Sequence, residues 1–418
     1  MRAHSRAGVV LWLLAVVNLI AVGADRLKQF SFVGMLGLHA PGSSLELLKL
    51  NLFMQVPMLL FSPLLGALLD RWNRATAIIV TCVLRAFVVA TIPRAFVASG
   101  DSLYAMYGIA FALSFADLTF APARAAILPD IVGKERLLQA NATMWVTGII
   151  GTFGGVLAGG WLFDFRSWEW AFFTDAAVYA VAAVLMVPVL VIYTRHMHAS
   201  PPAHEGHASR PGPIVALRRL LHSIRDGIEL IRSDHNIAVS LLVQCGLFAV
   251  GGVASIVGIA RIQSVAPAGK ASFLAIVAAS LVAGLIAGAG LAALFRRSVS
   301  IRRTISVSAI LTGVAIAGMG RTETLIPLSI WGAVLGMAIS PTFIVTETLM
   351  QHESPREFLG RVFAAREALV KAAYIVAAVL ATLLDSVASK AAILVSLGLF
   401  LALLGVFLER ATWLKEKA

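Results

Sequence analysis

Twelve long apolar runs follow one another along the chain, and polar or basic segments separate them. Each run is close to the roughly 20 residues that an α-helix needs to cross the hydrocarbon core of a bilayer. This succession predicts an all-α integral membrane protein with 12 transmembrane helices. The runs lie near residues 9–36, 47–69, 76–97, 103–128, 138–163, 171–193, 237–262, 272–295, 304–320, 325–350, 362–384 and 391–408.

The composition agrees with this prediction and argues against a soluble enzyme. Hydrophobic residues make up 59% of the chain and charged residues 13%, against about a quarter charged in a soluble domain. A net charge of +12 in a soluble chain would suggest binding to nucleic acid. Here the basic residues cluster in short segments between the apolar runs, which indicates membrane topology instead. We therefore expect no nucleic-acid partner.

The basic residues also predict the orientation of the chain in the membrane. If the N-terminus is cytoplasmic, the cytoplasmic segments hold 22 Lys and Arg residues and the opposite segments hold 5. Cytoplasmic loops carry the excess of Lys and Arg in membrane proteins. We therefore expect both termini in the cytoplasm.

A polar segment divides the runs into two groups of six. We predict an N-terminal bundle over 1–194, a central cytoplasmic loop over 195–236 and a C-terminal bundle over 237–418. Within the loop, apolar residues recur at helical spacing among arginines over 214–231, which predicts an amphipathic surface helix packed on the bundle or the lipid boundary. The segments 135–142 and 357–364 are weakly similar, which favours two pseudo-symmetric parallel repeats.

The segment after the second run carries the most informative motif. Gly66, Asp70, Arg71 and Arg74 have the spacing Gly-x-x-x-Asp-Arg-x-x-Arg, and this segment resembles the loop signature of the major facilitator superfamily. The resemblance implies the major facilitator fold and a gating loop in which the Asp and the arginines form an ion-pair latch. The equivalent loop, 290–303, keeps arginines but lacks the Asp, so any latch is asymmetric.

Three further segments narrow the resemblance within the superfamily. Residues 120–132 with 137–141, residues 224–232 and residues 359–362 are similar to the enterobactin-exporter and macrolide-efflux branch. Lysophospholipid transporters share some of these features, so the motifs indicate a group of related transporter families and do not identify the substrate. The resemblance implies a bacterial cytoplasmic (inner) membrane location.

Span one carries three charged residues in its outer part, Asp25, Arg26 and Lys28. Charges inside a bilayer are costly and are functional candidates by default. Asp25 and Lys28 share a helix face, whereas Arg26 is rotated about 100 degrees away. Two interpretations stay open: a polar cavity that contacts a substrate headgroup or carries a proton, and an internal ion pair that snorkels to the outer interface.

Further charged residues in the spans, including Arg85 and Arg124, are candidates for substrate or proton coupling. Asp117 in span four is the best single candidate, and its alternative role is a structural partner for Arg85 of span three or for Arg71 or Arg124 near the gate. In the second half, Glu347 and Lys371 form the matching candidate pair.

Two acidic residues have competing or structural roles in this interpretation. Glu367 lies one turn before Lys371 and competes for it. Asp175, near the start of span six, matches an Asp of the resembled family, and we expect a structural helix cap there.

Span five is rich in glycine. Gly151, Gly154, Gly155 and Gly159 provide a small-residue face for close helix packing. The pattern resembles the glycine-rich antiporter motif of family exporters, although Gly155 stands where the family has Pro. Close packing without any directional meaning is the alternative.

The remaining motifs favour neither a metal site nor an enzyme. Six of the nine histidines fall in the central loop, where His196, His198, His204 and His207 have spacings that suit only weak metal binding. We expect a solvated linker and no metal or cofactor. The sequence has no phosphate-binding Gly-Lys-Ser/Thr loop, no zinc-protease motif and no nucleophile elbow.

These observations predict a secondary transporter that works by alternating access and is not an enzyme. The first expectation is proton-coupled export of a small amphipathic compound, a drug or a siderophore. The runner-up is a lysophospholipid or lipid flippase of the same fold. A non-transporting membrane sensor or a membrane-embedded enzyme stays open as a third class. The expected partners are the substrate, a proton or ion gradient and the lipid bilayer, and we expect a monomer.

Overall fold

A computed structural model describes residues 2–69, 73–199, 225–226, 228–229, 231–232, 234–267, 270–295, 300–354 and 359–410. These residues are almost entirely helical, and no strand occurs among them. The helices are α1 (Arg2–His39), α2 (Ser44–Leu69), α3 (Arg74–Ala98), α4 (Leu103–Phe165), α5 (Trp168–Ala199), α6 (His235–Val253), α7 (Ile259–Val265), α8 (Ala271–Phe295), α9 (Ile301–Arg321), α10 (Leu325–Glu353), α11 (Leu359–Asp385) and α12 (Lys390–Arg410).

The helices confirm the prediction of a multi-pass helical membrane protein. Within the described residues, ten helical stretches are long and apolar enough to cross a membrane, and Leu103–Asp117 is a shorter apolar stretch. Many of their large apolar side chains are exposed, for example Trp12, Phe87 and Trp161. In a bilayer such side chains face lipid at no cost, because lipid tails are as apolar as they are.

The chain divides into two compact units. Unit 1 comprises Met1–Met35 and Leu50–Arg218, and unit 2 comprises Leu36–Lys49 and Arg219–Ala418. The turn between α1 and α2 thus groups with unit 2, where the Gly42 N–H donates to Gln263 Oε1 at 3.4 Å. Gly42 has a φ of +69°, a backbone conformation that glycine adopts at no steric cost.

Spans four and five, predicted as separate runs, form the single helix α4. Asn18 contacts both Arg124 and Met144, which a straight helix would hold about 30 Å apart. The helix must therefore bend strongly between these two residues. Its first part runs antiparallel to α1, because Lys28 contacts Asp117 and Asn18 contacts Arg124. Its last part runs parallel to α1, as two successive spans require.

Span seven, predicted as one run over 237–262, is interrupted in the structure. A π-helical turn over Ala254–Gly258 separates α6 from α7. The Ser255 hydroxyl donates to the Gly252 carbonyl at 2.9 Å and accepts from the Tyr374 hydroxyl at 2.7 Å. These bonds tie the irregular turn to α11, and such turns recur at functional sites of helical proteins.

The described part of the central loop packs on unit 2. Ile231 is buried in a core cluster with Ile237, Met350 and Val362, and Ile228 packs against the same cluster. Arg361 also pairs with Asp226 at 2.9 Å. At these positions the apolar face of the predicted amphipathic helix lies on the bundle. Residues 200–224 of the loop lie outside the described residues.

Candidate functional site

The charged residues of α1 divide between two faces of the helix, as their spacing predicts. Lys28 Nζ lies 3.4 Å from Asp25 Oδ1, one turn away on the same face. Arg26 points elsewhere and donates to Gln29 Oε1 at 2.9 Å in an exposed position. Asp25 and Lys28 therefore form an ion pair, which is one of the two interpretations that the sequence left open.

Two more helices bring charges to the α1 pair. Asp117 of α4 accepts from Lys28 Nζ at 3.0 Å and forms an ion pair with Arg85 of α3 at 2.9 Å. Arg85 also lies 3.3 Å from Asp25 and donates to the Ala116 carbonyl at 3.2 Å. Asp117 thus has the structural partner Arg85 that we considered as its alternative role. We call Asp25, Lys28, Arg85 and Asp117 the charge cluster.

The charge cluster is electrically balanced and unevenly exposed. Two cations face two carboxylates, which offsets the cost of removing each charge from water. The side chains of Lys28 and Arg85 are each 1% exposed, whereas Asp25 is 31% and Asp117 is 20% exposed. The two carboxylate side chains are therefore partly exposed, whereas the two cations paired with them are buried.

Aromatic side chains enclose the buried cations. The Arg85 guanidinium lies 5.3 Å from the ring centroid of Tyr179 and 5.4 Å from that of Phe120, and Lys28 Nζ lies 5.8 Å from the Tyr179 ring. These distances fit cation–π contacts. The Tyr179 hydroxyl also donates to Asp25. Tyr179 could not be predicted as a site residue, because a tyrosine in an apolar span is ordinary until its hydroxyl partner is known.

Asp175 does not have the capping role that we expected for it. Helix α5 begins at Trp168 and carries Glu169 in its first turn, so Asp175 lies about two turns inside the helix. It is fully buried, and neither carboxylate oxygen has a hydrogen-bond partner among the described residues. The expectation of a cap was wrong because span six starts earlier than its apolar run suggests.

A second polar contact in unit 1 joins α1 to both parts of α4. Asn18 Nδ2 donates to the Met144 carbonyl and to Thr147 Oγ1, each at 2.8 Å. Arg124 donates to Asn18 Oδ1. Arg124 therefore lies at this amide contact, one of the positions that we singled out for substrate or proton coupling.

Unit 2 contains its own buried polar cluster. Glu347 of α10 pairs with Arg366 of α11 at 3.0 Å, and Arg366 Nε donates to Gln244 Oε1 of α6 at 2.6 Å. Lys371 pairs with Glu367 at 3.4 Å, so Glu367 is the competitor that prevails over the predicted Glu347–Lys371 pair. Arg366 was not among the predicted site residues; it lies two turns inside α11 and is 9% exposed.

The predicted gating loop falls largely outside the described residues. Asp70 and Arg71 belong to the undescribed segment 70–72, Gly66 lies in α2 and Arg74 begins α3. Asn73 caps α3, because its side chain accepts from the Ala75 N–H at 3.0 Å and the Thr76 N–H at 3.3 Å. The latch itself stays a prediction.

Glycines of the later part of α4 lie directly against α1. A Cβ at Gly151 would lie 2.3 Å from the Leu19 carbonyl oxygen, and a Cβ at Gly155 would lie 2.1 Å from that of Gly23. At Gly159 the nearest atom would be 3.1 Å away, and Gly154 faces open space. Close approach of the two backbones therefore requires glycine at Gly151 and Gly155.

Groups that could hold a metal ion are not found within the described ranges. No three His, Cys, Asp or Glu side chains converge there as a metal site. His204 and His207 of the central loop lie outside the described residues, and His196 and His198 belong to the end of α5. Cys82 and Cys245 are free thiols.

One protein-family model matches most of the chain. The sequence profile described as Major Facilitator Superfamily matches residues 11–319. No curated protein sequence matches the chain.

Solved structures of transporters share the fold at low sequence identity. The nucleoside transporter NupG superposes with a TM-score of 0.71 at 12% identity, covering 96% of this chain and 100% of its own. A bacterial homologue of the iron transporter ferroportin in an inward-facing state gives 0.67 at 15% identity, covering 96% and 99%. A structure on substrate recognition in proton-dependent oligopeptide transporters gives 0.64 at 13% identity, covering 96% and 98%.

Proposed function

The chain belongs to the Major Facilitator Superfamily, and from this premise we propose that it exports small amphipathic compounds in exchange for protons by alternating access. That it is a membrane transporter and not an enzyme follows from the family and from the transporters that share its fold. The direction, the coupling ion and the substrate class belong to our proposal.

The observation that carries the proposal is the charge cluster of unit 1. Four ionisable side chains lie together inside a bundle that spans a membrane, and such groups mark ion or substrate pathways. Stability alone does not explain such a network, because well-packed apolar residues of similar volume often stabilise a protein as well as a buried ion pair does. Exposed carboxylates beside buried cations provide a site that exchanges ligands.

The exposure pattern favours one substrate class over the alternative. A lysophospholipid flippase would require the span-one cations to meet an anionic phosphate. Lys28 is instead 1% exposed and paired with two carboxylates, and an entering phosphate would meet Asp25 and Asp117 first. The negative charges of the phosphate and of these two carboxylates would repel each other. Within the drug or siderophore class, carboxylates favour a cationic amphiphile.

A thermal-shift screen of the detergent-purified protein tests this proposal. A ligand that binds only the native state stabilises it by about 2.7 kcal/mol at a concentration of one hundred times its Kd. We expect cationic amphiphilic drugs to raise the melting temperature, and siderophores, lysophospholipids and divalent metals to have little effect. Asp25→Asn should abolish the drug-induced shift.

The control variant for this screen is Asp101→Asn. Asp101 has a φ of +60° in the turn before α4, a conformation that Asn also adopts, so the variant should respond like the wild-type protein. A shift with lysophospholipid and none with any drug would replace the exporter by the flippase. A shift that Asp25→Asn leaves unchanged would place drug binding outside the charge cluster.

A further inference from the structure

Asp175 is a buried carboxyl group that the charge cluster does not use. It is 0% exposed, and neither of its side-chain oxygens has a hydrogen-bond partner in the described part of the chain. A buried polar group normally has such a partner, because leaving it without one costs free energy. An ionised carboxylate in this position would be especially costly.

Helix register places Asp175 beside the charge cluster. On α5, Phe172 contacts Phe32 of α1 with ring centroids 5.4 Å apart, and Tyr179 donates to Asp25 of α1. Asp175 lies between these contacts on the same face of α5, because residues three and four apart share a helix face. It is therefore next to the α1 segment that carries Lys28.

The charged and titratable groups around Asp175 come from four helices. Helix α1 contributes Asp25 and Lys28, α3 contributes Arg85 with Cys82 one turn before it, α4 contributes Asp117, and α5 contributes Tyr179. The two cations are matched by two carboxylates before Asp175 is counted. Lys28 is engaged by Asp117 at 3.0 Å and by Asp25 at 3.4 Å, and Arg85 contacts the same two carboxylates. Neither cation of the charge cluster is therefore left over to balance a third carboxylate.

We propose that Asp175 is the proton-binding group of unit 1, protonated in this arrangement and deprotonated during transport. The inference rests on the proposed function and names the residue that carries the coupled proton. Asp117 contacts both Lys28 and Arg85 and positions these two cations. Loss of the Asp175 proton adds a third carboxylate to the two cations and two carboxylates of the charge cluster, and so redistributes its ion pairs.

The deprotonation step conserves atoms and charge. The O–H bond of Asp175 breaks, and the proton leaves to bulk water past Asp25 and Asp117, whose side chains are partly exposed. The new carboxylate takes the Lys28 ammonium as its counter-ion. One of the accessible carboxylates thereby loses that partner and becomes free to bind a cationic substrate. Protonation of Asp175 reverses each change.

Infrared difference spectroscopy of the purified protein tests the protonation state without any substrate. A protonated carboxyl group shows a C=O stretching band that carboxylates lack. We expect this band at neutral pH in the wild-type protein and in the control variant Glu347→Gln of unit 2, and its loss in Asp175→Asn. Absence of the band from the wild-type protein, or its persistence in Asp175→Asn, would overturn the proposal.

Proton release on ligand binding tests the role of Asp175 in transport. Ethidium, an amphipathic cation, is added to the protein in weakly buffered detergent solution while pH is followed, and its binding is checked by thermal shift. We expect about one proton released per ethidium bound by the wild-type protein and none by Asp175→Asn, which mimics the protonated acid in size and charge. Equal release by both proteins would overturn the proposal.

The two experiments separate the two proposals. If the wild-type protein does not bind ethidium, the result counts against the proposed cationic substrate, and the infrared band still decides whether Asp175 holds a proton. If ethidium binds without releasing any proton, the Asp175 proposal fails while cation binding stands. If Asp175→Asn does not fold, the wild-type protein alone still tests the proposal: absence of the infrared band, or ethidium binding without proton release, would overturn it.

Discussion

Arg85 is the side chain on which the charge cluster depends most. It contacts Asp25 and Asp117 at 3.3 and 2.9 Å, lies against two aromatic rings and is 1% exposed. Removing one partner of a buried ion pair is costly because it leaves an uncompensated charge. The same reasoning applies to Lys28, which is equally buried.

We predict that Arg85→Met lowers the free energy of unfolding by about 3–5 kcal/mol, because two carboxylates then share one cation. The double variant Arg85→Met/Asp117→Asn restores the charge balance and should recover part of this loss. Arg26→Met is the matched control, since Arg26 is exposed and donates to Gln29 on another face of α1. Thermal unfolding in detergent measures all three. Equal melting temperatures for Arg85→Met and Arg26→Met would contradict the structural role of Arg85.

At the residue scale the sequence identified charged groups but not their partners. Asp25, Lys28, Arg85 and Asp117 could be singled out because each lies within an apolar run, where charge is costly. The pairing of Glu347 with Arg366 could not be predicted, since it depends on where α11 begins. Asp175 could be noticed but not assigned, because only the structure shows that both its oxygens lack partners.

At the scale of elements, the contact between α1 and the later part of α4 is the closest backbone packing in unit 1 that glycine makes possible. A Cβ at Gly151 or Gly155 would lie 2.3 or 2.1 Å from a backbone oxygen of α1, too close for any side chain. Backbones of membrane helices pack this closely only where one of them carries small residues.

We predict that Gly155→Ala destabilises the protein by about 1–3 kcal/mol, because the added methyl group forces the two helices apart. Gly154→Ala should be neutral or slightly stabilising, since Gly154 faces open space and alanine favours helix. The two variants add the same group to adjacent residues of one helix. Thermal unfolding in detergent compares them, and an equal effect of both would contradict the described packing.

The sequence indicated the glycine face but not all of the helix boundaries. Glycine periodicity revealed that span five packs closely, while the structure selects Gly151 and Gly155 and leaves Gly154 outside the contact. The continuous helix α4 could not be foreseen, because residues 129–139 are polar enough to suggest a loop. They also contain good helix formers such as Glu135, Leu137 and Gln139. The π-helical turn over Ala254–Gly258 has no sequence signal that we recognise.

At the scale of the whole molecule, the two halves repeat a polar contact. In unit 1 the amide of Asn18 on α1 contacts Arg124 and Thr147. In unit 2 the amide of Gln244 on α6 contacts Thr346 and Arg366. Thr346 lies 222 residues after Arg124, the same offset as between the similar segments 135–142 and 357–364. This correspondence supports the internal repeat, whereas the charge cluster around Asp117 has no counterpart of the same composition among the described residues of unit 2.

The topology of the chain follows from its basic residues, and we predict that both termini and the central loop are cytoplasmic. A membrane-impermeant maleimide should label Ala388→Cys, between α11 and α12, in intact spheroplasts. Ser209→Cys in the central loop should react only after lysis. The native thiols of Cys82 and Cys245 provide the background, measured in the unmodified protein. The reverse labelling pattern would contradict the orientation.

The measurement that tests the central claim most directly is proton movement in proteoliposomes that contain only this protein. A compound identified by the thermal-shift screen is placed outside the vesicles, and a dye reports the internal pH while the compound enters down its gradient. Exchange predicts that protons leave the lumen as the compound enters, and that Asp175→Asn abolishes this alkalinisation. Entry of the compound with no change of internal pH would contradict proton-coupled exchange.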